Sequence, residues 1–291
     1  MKLLFLGLDG FDPDVAARLI AGGRLPALAS IAAAGSLGRV LSTLPPATMP
    51  AWATCLTGAC PGRHGVFDFA RLDGYAVRFG TRRAAAPTFL ETTAAAGLRV
   101  GSLGFPGRFG RDGLAFHVAG WDTPLDVAAH VSPAGLHDRI VGRFGARALR
   151  FAAADEHRTS GDGGWSDRFA AALGESVGVR AALASWLARE FRLDVLAVHF
   201  QAADTAGHHL IGTQAMDDVY AAVDGAVGLL AGSLEPDAVI AVSDHGMGPA
   251  SGVVVSINAL LERAGFLRNR RSSVRAAAGR VLRRAGLYAL P

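Results

Sequence analysis

The sequence predicts an α/β fold, a mostly parallel sheet with helices on both faces. Short apolar runs (Lys2–Leu8, Leu193–Phe200 and Ala238–Val242) alternate with longer helical stretches, the pattern of strands buried on both faces. Each run also ends at a cluster of acids and histidines: Asp9 in LFLGLDG, Asp204 and His208 in ADTAGHH, and Asp244 with His245 in AVSDHGM. In open α/β sheets, ligands gather at the carboxyl ends of the strands.

The elements follow in order. Strand Lys2–Leu8 leads to a helix over Asp14–Ala21 and a second over Leu25–Ala34, which Gly35 ends. Ser36–Thr43 reads as the next strand, stopped by Pro45 and Pro46. A helix opens around Met49–Leu56, and an alanine-rich helix over Thr88–Ala96 precedes a short strand at Leu98–Leu103. Later the theme repeats as strand Leu193–Phe200, helix Thr213–Ala231, strand Ala238–Val242 and helix Val255–Ala264. From Pro106 to about Val177, Gly, Arg and Asp dilute the periodicity. That stretch is expected to be an insertion or cap over the site (106–177), within a core built from 1–105 and 178–266. Excursions of this kind often select the substrate.

Composition narrows the classes. A hydrophobic fraction of 51% with 19% charge describes a packed globular chain. The formal charge of +4 comes largely from Arg268–Arg284, so no nucleic-acid partner is expected. In residues 267–291 the arginines interleave with Val274, Val281, Leu282 and Leu287. A solvated helix or part of an incomplete domain is expected there, with a membrane-surface amphipathic helix as the alternative. The N-terminal apolar run is shorter than the ~7–15 residues of a signal core, and no uncharged run reaches the ~18–20 of a membrane span. A soluble cytoplasmic protein is the expectation. Cys55 and Cys60 offer no disulfide framework and are read as buried or inert thiols.

Acidic clusters converging at one sheet edge would repel one another unless cations sat between them, and carboxylate and imidazole are suitable ligands. Asp204 and His208, four residues apart, would share one face of a helical turn and could grip a single ion; the competing reading is a solvated Asp with a polar His beside it. His209 is less suited, since adjacent residues seldom face the same ion. His199 is read as a core residue or one behind the ligands. Thr48, after two prolines and before a helix, is either a helix cap or a hydroxyl presented to phosphate at a helix N-terminus, where it could act as nucleophile. Together these features suggest a two-metal phosphate-transfer site.

At these residues the chain resembles the alkaline phosphatase superfamily, in its type I phosphodiesterase/nucleotide pyrophosphatase branch. The matching stretches are GLDGFDP, PPATMPAWATCLTGACPGRHGVFDF, ADTAGHH and VSDHGMGP, with FPGRFG and GWDTP also shared. The resemblance covers Lys2 to about Phe266. It implies that Asp9, Thr48, Asp244 and His245 hold one metal, with Thr48 also the nucleophile, and that Asp204 and His208 are two of three protein ligands of the other. The third ligand in the superfamily is a downstream His, and no His follows His245. The chain is therefore expected to lack a C-terminal part that begins in 267–291, or to replace that ligand. Ala51 stands where studied nucleotide pyrophosphatases carry an Asn that holds phosphoryl oxygens, which leaves a nucleotide diester less secure. His64 in PGRHG is read as structural or as standing behind the ligands.

The resemblance implies a phosphoric ester hydrolase, in the first instance a phosphodiesterase, working through a covalent phospho-threonine. Its cofactors would be two divalent ions, with Zn2+ suiting the Asp/His donors and Mn2+ the alternative. Its substrate would be a small phosphate ester or diester. The competing readings are a phosphoryl or phospho-headgroup transferase of the same superfamily, and a truncated homologue that binds metal or phosphate without turnover. A sulfatase is disfavoured because Thr48–Trp52 lacks the required Cys or Ser and Arg.

Overall fold

The strands expected at the two chemically richest motifs form adjacent rails of one sheet. In the computed structural model, the described residues are 1–74, 76–79, 83–107, 112–120, 127–149, 164–249, 252 and 255–268. Most of the basic segment 267–291, residues 121–124 of GWDTP and residues 108–110 of FPGRFG lie outside them. The chain divides into two units, 1–156 with 160–248, and 157–159 with 249–291.

The first unit runs β1 (Leu3–Leu8), α1 (Pro13–Ala21), α2 (Pro26–Ala34), α3 (Thr48–Thr57) and α4 (Pro61–His64). A hairpin of β2 (Ala70–Asp73) and β3 (Ala76–Phe79) follows, then α5 (Phe89–Ala95), β4 (Val100–Leu103), β5 (Phe116–Val118) and β6 (Val131–Ser132). The unit continues with α6 (Leu136–Phe144), α7 (Trp165–Glu190), β7 (Val195–Phe200), α8 (Ala202–Leu210), α9 (Gln214–Leu234) and β8 (Ala238–Val242). In the second unit, Ser256 Oγ caps α10 (Ile257–Arg263) by accepting from the Ala259 N–H.

Among the described residues the main sheet has the order β6-β5-β4-β7-β1-β8. Its pairs are parallel except β5 with β6. β1 lies between β7 and β8, with Gly7 opposite both His199 and Val242. That register sends all three strands out of the sheet at the same level.

Side chains alternate across a strand, and β1 uses both faces. Leu4, Leu6 and Leu8 join a core with Leu196, Val198 and Phe200 of β7 and with Leu183, Leu187, Val219 and Tyr220 of α7 and α9. Phe5 points the other way, into a smaller cluster with Trp52, Leu56, Leu90 and Phe105. Each fully buried side chain of this kind contributes about 1.5–3 kcal/mol, so helices on both faces are what make the bare apolar run a stable strand.

One expectation needs correction. Ser36–Thr43 forms no strand: Leu37, Val40 and Leu41 are 73%, 84% and 98% exposed, and β8 occupies the position beside β1. An apolar run becomes a strand only where a neighbour takes its backbone hydrogen bonds. Helix α7 was not foreseen. It spans 26 residues and crosses position 177, where the insertion was expected to end. Its buried Phe169, Leu173, Val177, Ala181, Ala184 and Leu187 keep helical spacing, but Gly174 and Gly178 beside them lower the helical propensity of the run. Cys60 is exposed and Cys55 half-buried, and desolvation pushes the Cys55 thiol up to about 11.

No single helix among the described residues is long and apolar enough to cross a membrane; α1 and α2 together pass only across a 96° bend.

Gly7 marks the tightest join between sheet and helix. A Cβ there would lie 2.8 Å from Trp52 Cη2 and 2.9 Å from Phe105 Cε1, both in fully buried rings. Gly7→Ala should therefore destabilise the fold by about 1–3 kcal/mol through overpacking. Thermal unfolding reads this directly, and an unchanged Tm would mean that the two rings yield freely.

Candidate active site

The chain leaves β1 through Asp9 and a turn that only glycine suits. Gly10 has φ +61°, and a Cβ there would sit 2.7 Å from Asp204 Cα. Its N–H donates to Asp244 Oδ1 at 3.1 Å. Tyr220 of α9 braces the same turn, donating its hydroxyl to the Gly10 carbonyl and accepting from the Asp12 N–H. Asp12 in turn caps α1 through Oδ1 and accepts from the Met247 N–H through Oδ2. The first and third acidic motifs are thus tied by backbone-to-carboxylate bonds before any ligand is considered.

β7 ends at Phe200 and feeds α8, whose helical turn places Asp204 and His208 on one face, as their spacing predicts. Their nearest atoms, Asp204 Oδ1 and His208 Nε2, are 3.6 Å apart, and the His208 side chain is 62% exposed. His209 turns elsewhere and packs edge-on against Phe169 and Trp165. Thr48 opens α3 as its first residue. Ala47, with extended backbone, occupies the cap position and makes no side-chain cap bond, so the capping role considered for Thr48 is not the one it plays. The first-turn N–H groups of a helix have no intrahelical partner, and Pro50 contributes none. The N–H groups of Thr48 and Met49 therefore accompany the hydroxyl.

His245 Nε2 is where the motifs meet. It lies 3.1 Å from Thr48 Oγ1, 3.6 Å from Asp9 Oδ1, 3.4 Å from Asp244 Oδ2 and 4.0 Å from Asp204 Oδ1. The other ring nitrogen, Nδ1, is 3.0 Å from the Gly246 carbonyl. A carbonyl can only accept, so Nδ1 carries the proton, and in the neutral ring the Nε2 lone pair faces the cluster.

The electrostatics of this arrangement are one-sided. Asp9 is fully buried and Asp244 nearly so; Asp9 Oδ1 and Asp244 Oδ2 have no hydrogen-bond partner among the described residues. Burial first, then the charge of Asp204, holds the Asp9 carboxyl well above the usual range. Burial and then the Asp9 charge do the same to Asp244. Three carboxylate oxygens and an imidazole lone pair converge with one hydroxyl among them, a set of acceptors that lacks a positive centre. One ligand atom from each of Asp9, Asp204 and His245 lies within 4.8 Å of the other two. The donor set suits a divalent cation with oxygen and nitrogen ligands.

Several contributors carried no readable signal in the sequence. Ser42 Oγ donates to the Asp244 carbonyl at 2.6 Å, and Tyr220 is a lone aromatic in a buried helical stripe. His64 is buried, with Nδ1 accepting from the Val66 N–H and Nε2 facing Thr54 Oγ1. It ties α4 to α3, the structural role expected of it.

The raised carboxyls make metal-free stability depend on pH. A carboxyl whose native pKa exceeds its unfolded value binds more protons in the native state between the two. Its stabilising contribution is complete below the unfolded pKa, about 4, and is lost as pH rises through the native one. In chelator, the Tm should therefore fall between pH 5 and pH 8, and Asp244→Asn should flatten that slope. A wild-type profile that rises over this window would contradict the assigned charge balance.

Comparison with known proteins fits this geometry. Phosphonoacetate hydrolase from Sinorhizobium meliloti 1021, in complex with phosphonoformate, superposes with a TM-score of 0.62 at 20% identity, covering 90% of this chain. Its complex with phosphonoacetate gives 0.64 at 19% identity and 91% coverage. The fold is thus alkaline phosphatase-like, and the chain spans 62% of the length of the hydrolase it matches. No curated protein matches by sequence. The family model for type I phosphodiesterase / nucleotide pyrophosphatase matches residues 3–289. With nearly the whole chain matched, this protein belongs to the type I phosphodiesterase / nucleotide pyrophosphatase family.

Proposed function

We propose that this chain carries the active site of a metal-dependent phosphoric ester hydrolase, a phosphodiesterase in which Thr48 becomes transiently phosphorylated. The observation that carries the reading is the meeting of the Thr48 hydroxyl with Asp9, Asp204 and Asp244 around His245 Nε2. Family membership supports the reaction class. The phosphonate ligands of the phosphonoacetate hydrolase complexes support a small phosphorus-containing substrate.

Asp9, Thr48, Asp244 and His245 would hold one divalent ion, and Asp204 with His208 would contribute to a second; Zn2+ fits these donors and Mn2+ is the alternative. Bound there, such ions would offset the negative charge of the phosphoryl oxygens and acidify hydroxyl and water. Thr48 Oγ would form the new bond to phosphorus as the ester P–O bond breaks and the alcohol departs. Water would then cleave the Oγ–P bond and regenerate the hydroxyl. The N–H groups of Thr48 and Met49 belong to the first turn of α3, the positive end of a helix, which favours phosphoryl oxygens. Ala51 is buried with only a methyl to offer, so it adds no hydrogen bond to the substrate.

Thr48→Ala tests the nucleophile. It removes a hydroxyl that caps no helix N–H but hydrogen-bonds His245 Nε2, so its stability cost should be about 1 kcal/mol. Hydrolysis of a chromogenic phosphodiester should disappear while divalent-ion binding persists, and Thr48→Ser should retain measurable turnover. Undiminished hydrolysis by Thr48→Ala would remove Thr48 from the chemistry.

Chelation provides a separate check. Dialysis against a strong chelator should abolish turnover, and adding back Zn2+ or Mn2+ should restore it together with a higher Tm. A ligand at a hundredfold excess over its Kd stabilises the native state by ~2.7 kcal/mol. Equal melting with chelator and with either ion would refute metal dependence.

A further inference from the structure

Asp9 has two carboxylate oxygens in different surroundings. Oδ1 faces the cluster, 3.6 Å from His245 Nε2, with no hydrogen-bond partner among the described residues. Oδ2 faces inward, 3.0 Å from His199 Nε2 and 3.4 Å from Trp52 Nε1. His199 and Asp9 are both wholly buried, as is Trp52. His199 sits on β7 opposite Gly7 of β1, and Gly7 has no side chain to fill the space beside Trp52 and Phe105. Those two rings enclose the imidazole, Trp52 edge-on at 5.1 Å and Phe105 tilted at 5.3 Å between centroids. From the far side, Arg180 Nη1 donates to the His199 carbonyl at 2.8 Å. The imidazole is therefore held by packing as well as by its contact with Asp9.

We infer that His199, assisted by Trp52, is a positioning residue that occupies Asp9 Oδ2 and so presents Oδ1 alone to the metal. This rests on the metal-site reading above. A carboxylate with both oxygens free can swing between one-oxygen and two-oxygen ligation, whereas a donor fixed on one oxygen selects the first mode and sets its direction. An ionised carboxylate only accepts hydrogen bonds, so His199 must carry its proton on Nε2. Hydrogen bonds that orient a metal ligand typically account for 10–100-fold in metal affinity. His199 and Trp52 touch neither substrate nor reacting atoms; they act through Asp9.

The test measures binding of Zn2+, and separately Mn2+, by competition with a chromogenic chelator for the wild type, His199→Phe, His199→Gln and Trp52→Phe. His199→Phe keeps a ring but removes the donor and should weaken binding 10–100-fold. His199→Gln, which can donate to Oδ2, should recover part of that loss, and Trp52→Phe should lose less than His199→Phe. Wild-type binding with unchanged affinity in His199→Phe would overturn the positioning role and leave the metal site standing. No divalent binding by the wild type would overturn both. A second measurement does not depend on whether the variants fold. In 15N-histidine-labelled wild type with the metal bound, His199 should give the nitrogen shifts of an Nε2-protonated ring, and an Nδ1-protonated ring would overturn the inference.

Discussion

A carboxylate with no solvent exposure, at the end of the strand flanked by β7 and β8, is the constraint around which this structure is arranged. Asp9 follows β1, and β1 needs neighbours on both sides to satisfy its backbone, so the residues after β7 and β8 are delivered to the same level. A buried anion costs several kcal/mol unless it is paired or hydrogen-bonded. One side of Asp9 is satisfied by an imidazole and an indole. The other faces acceptors like itself. The sheet register thus brings together the acids that create the deficit of positive charge, and α3 sets the Thr48 hydroxyl beside them.

The cluster is graded from inside to outside. Asp9 and Asp244 are buried, Asp9 held by the His199 and Trp52 side chains and Asp244 by the Gly10 N–H; His245 is mostly covered, and His208 stands in solvent. Its deep end is rigid because its partners are strands and packed rings. Its outer end rests on one turn of α8. A ligand bound at the deep end would meet a prepared geometry, and one bound near His208 would have to order a side chain first, an entropic cost of about 0.5–1.5 kcal/mol for each side chain immobilised.

Much of this was legible in the chain. Three apolar runs each ending in acids and histidines were enough to place Asp9, Asp204, His208, Asp244 and His245 at one edge of a parallel sheet, and the proline pair before Thr48 announced a helix start. The boundaries of β8, α1 and α3 fell within a residue or two, α1 because Asp12 caps it and Pro13 opens it. The exposed run at Ser36–Thr43 was misread for want of a pairing neighbour, which no local pattern reports. The 26-residue α7 was hidden by its glycines. The pairing of His199 with Asp9 depends on register between strands 190 residues apart, and a sequence specifies that only through the finished sheet.

The turn at Gly10 has an implication for anyone wishing to redesign this protein. Its left-handed backbone and its contact with Asp204 Cα leave room for no side chain, so β1 and α8 are in effect one rigid casting at that point. Variation introduced there would displace two acidic motifs together. The accessible route to altered chemistry runs through the opposite rim, at His208 and the face of α8 beyond it, where side chains can be exchanged without moving the sheet.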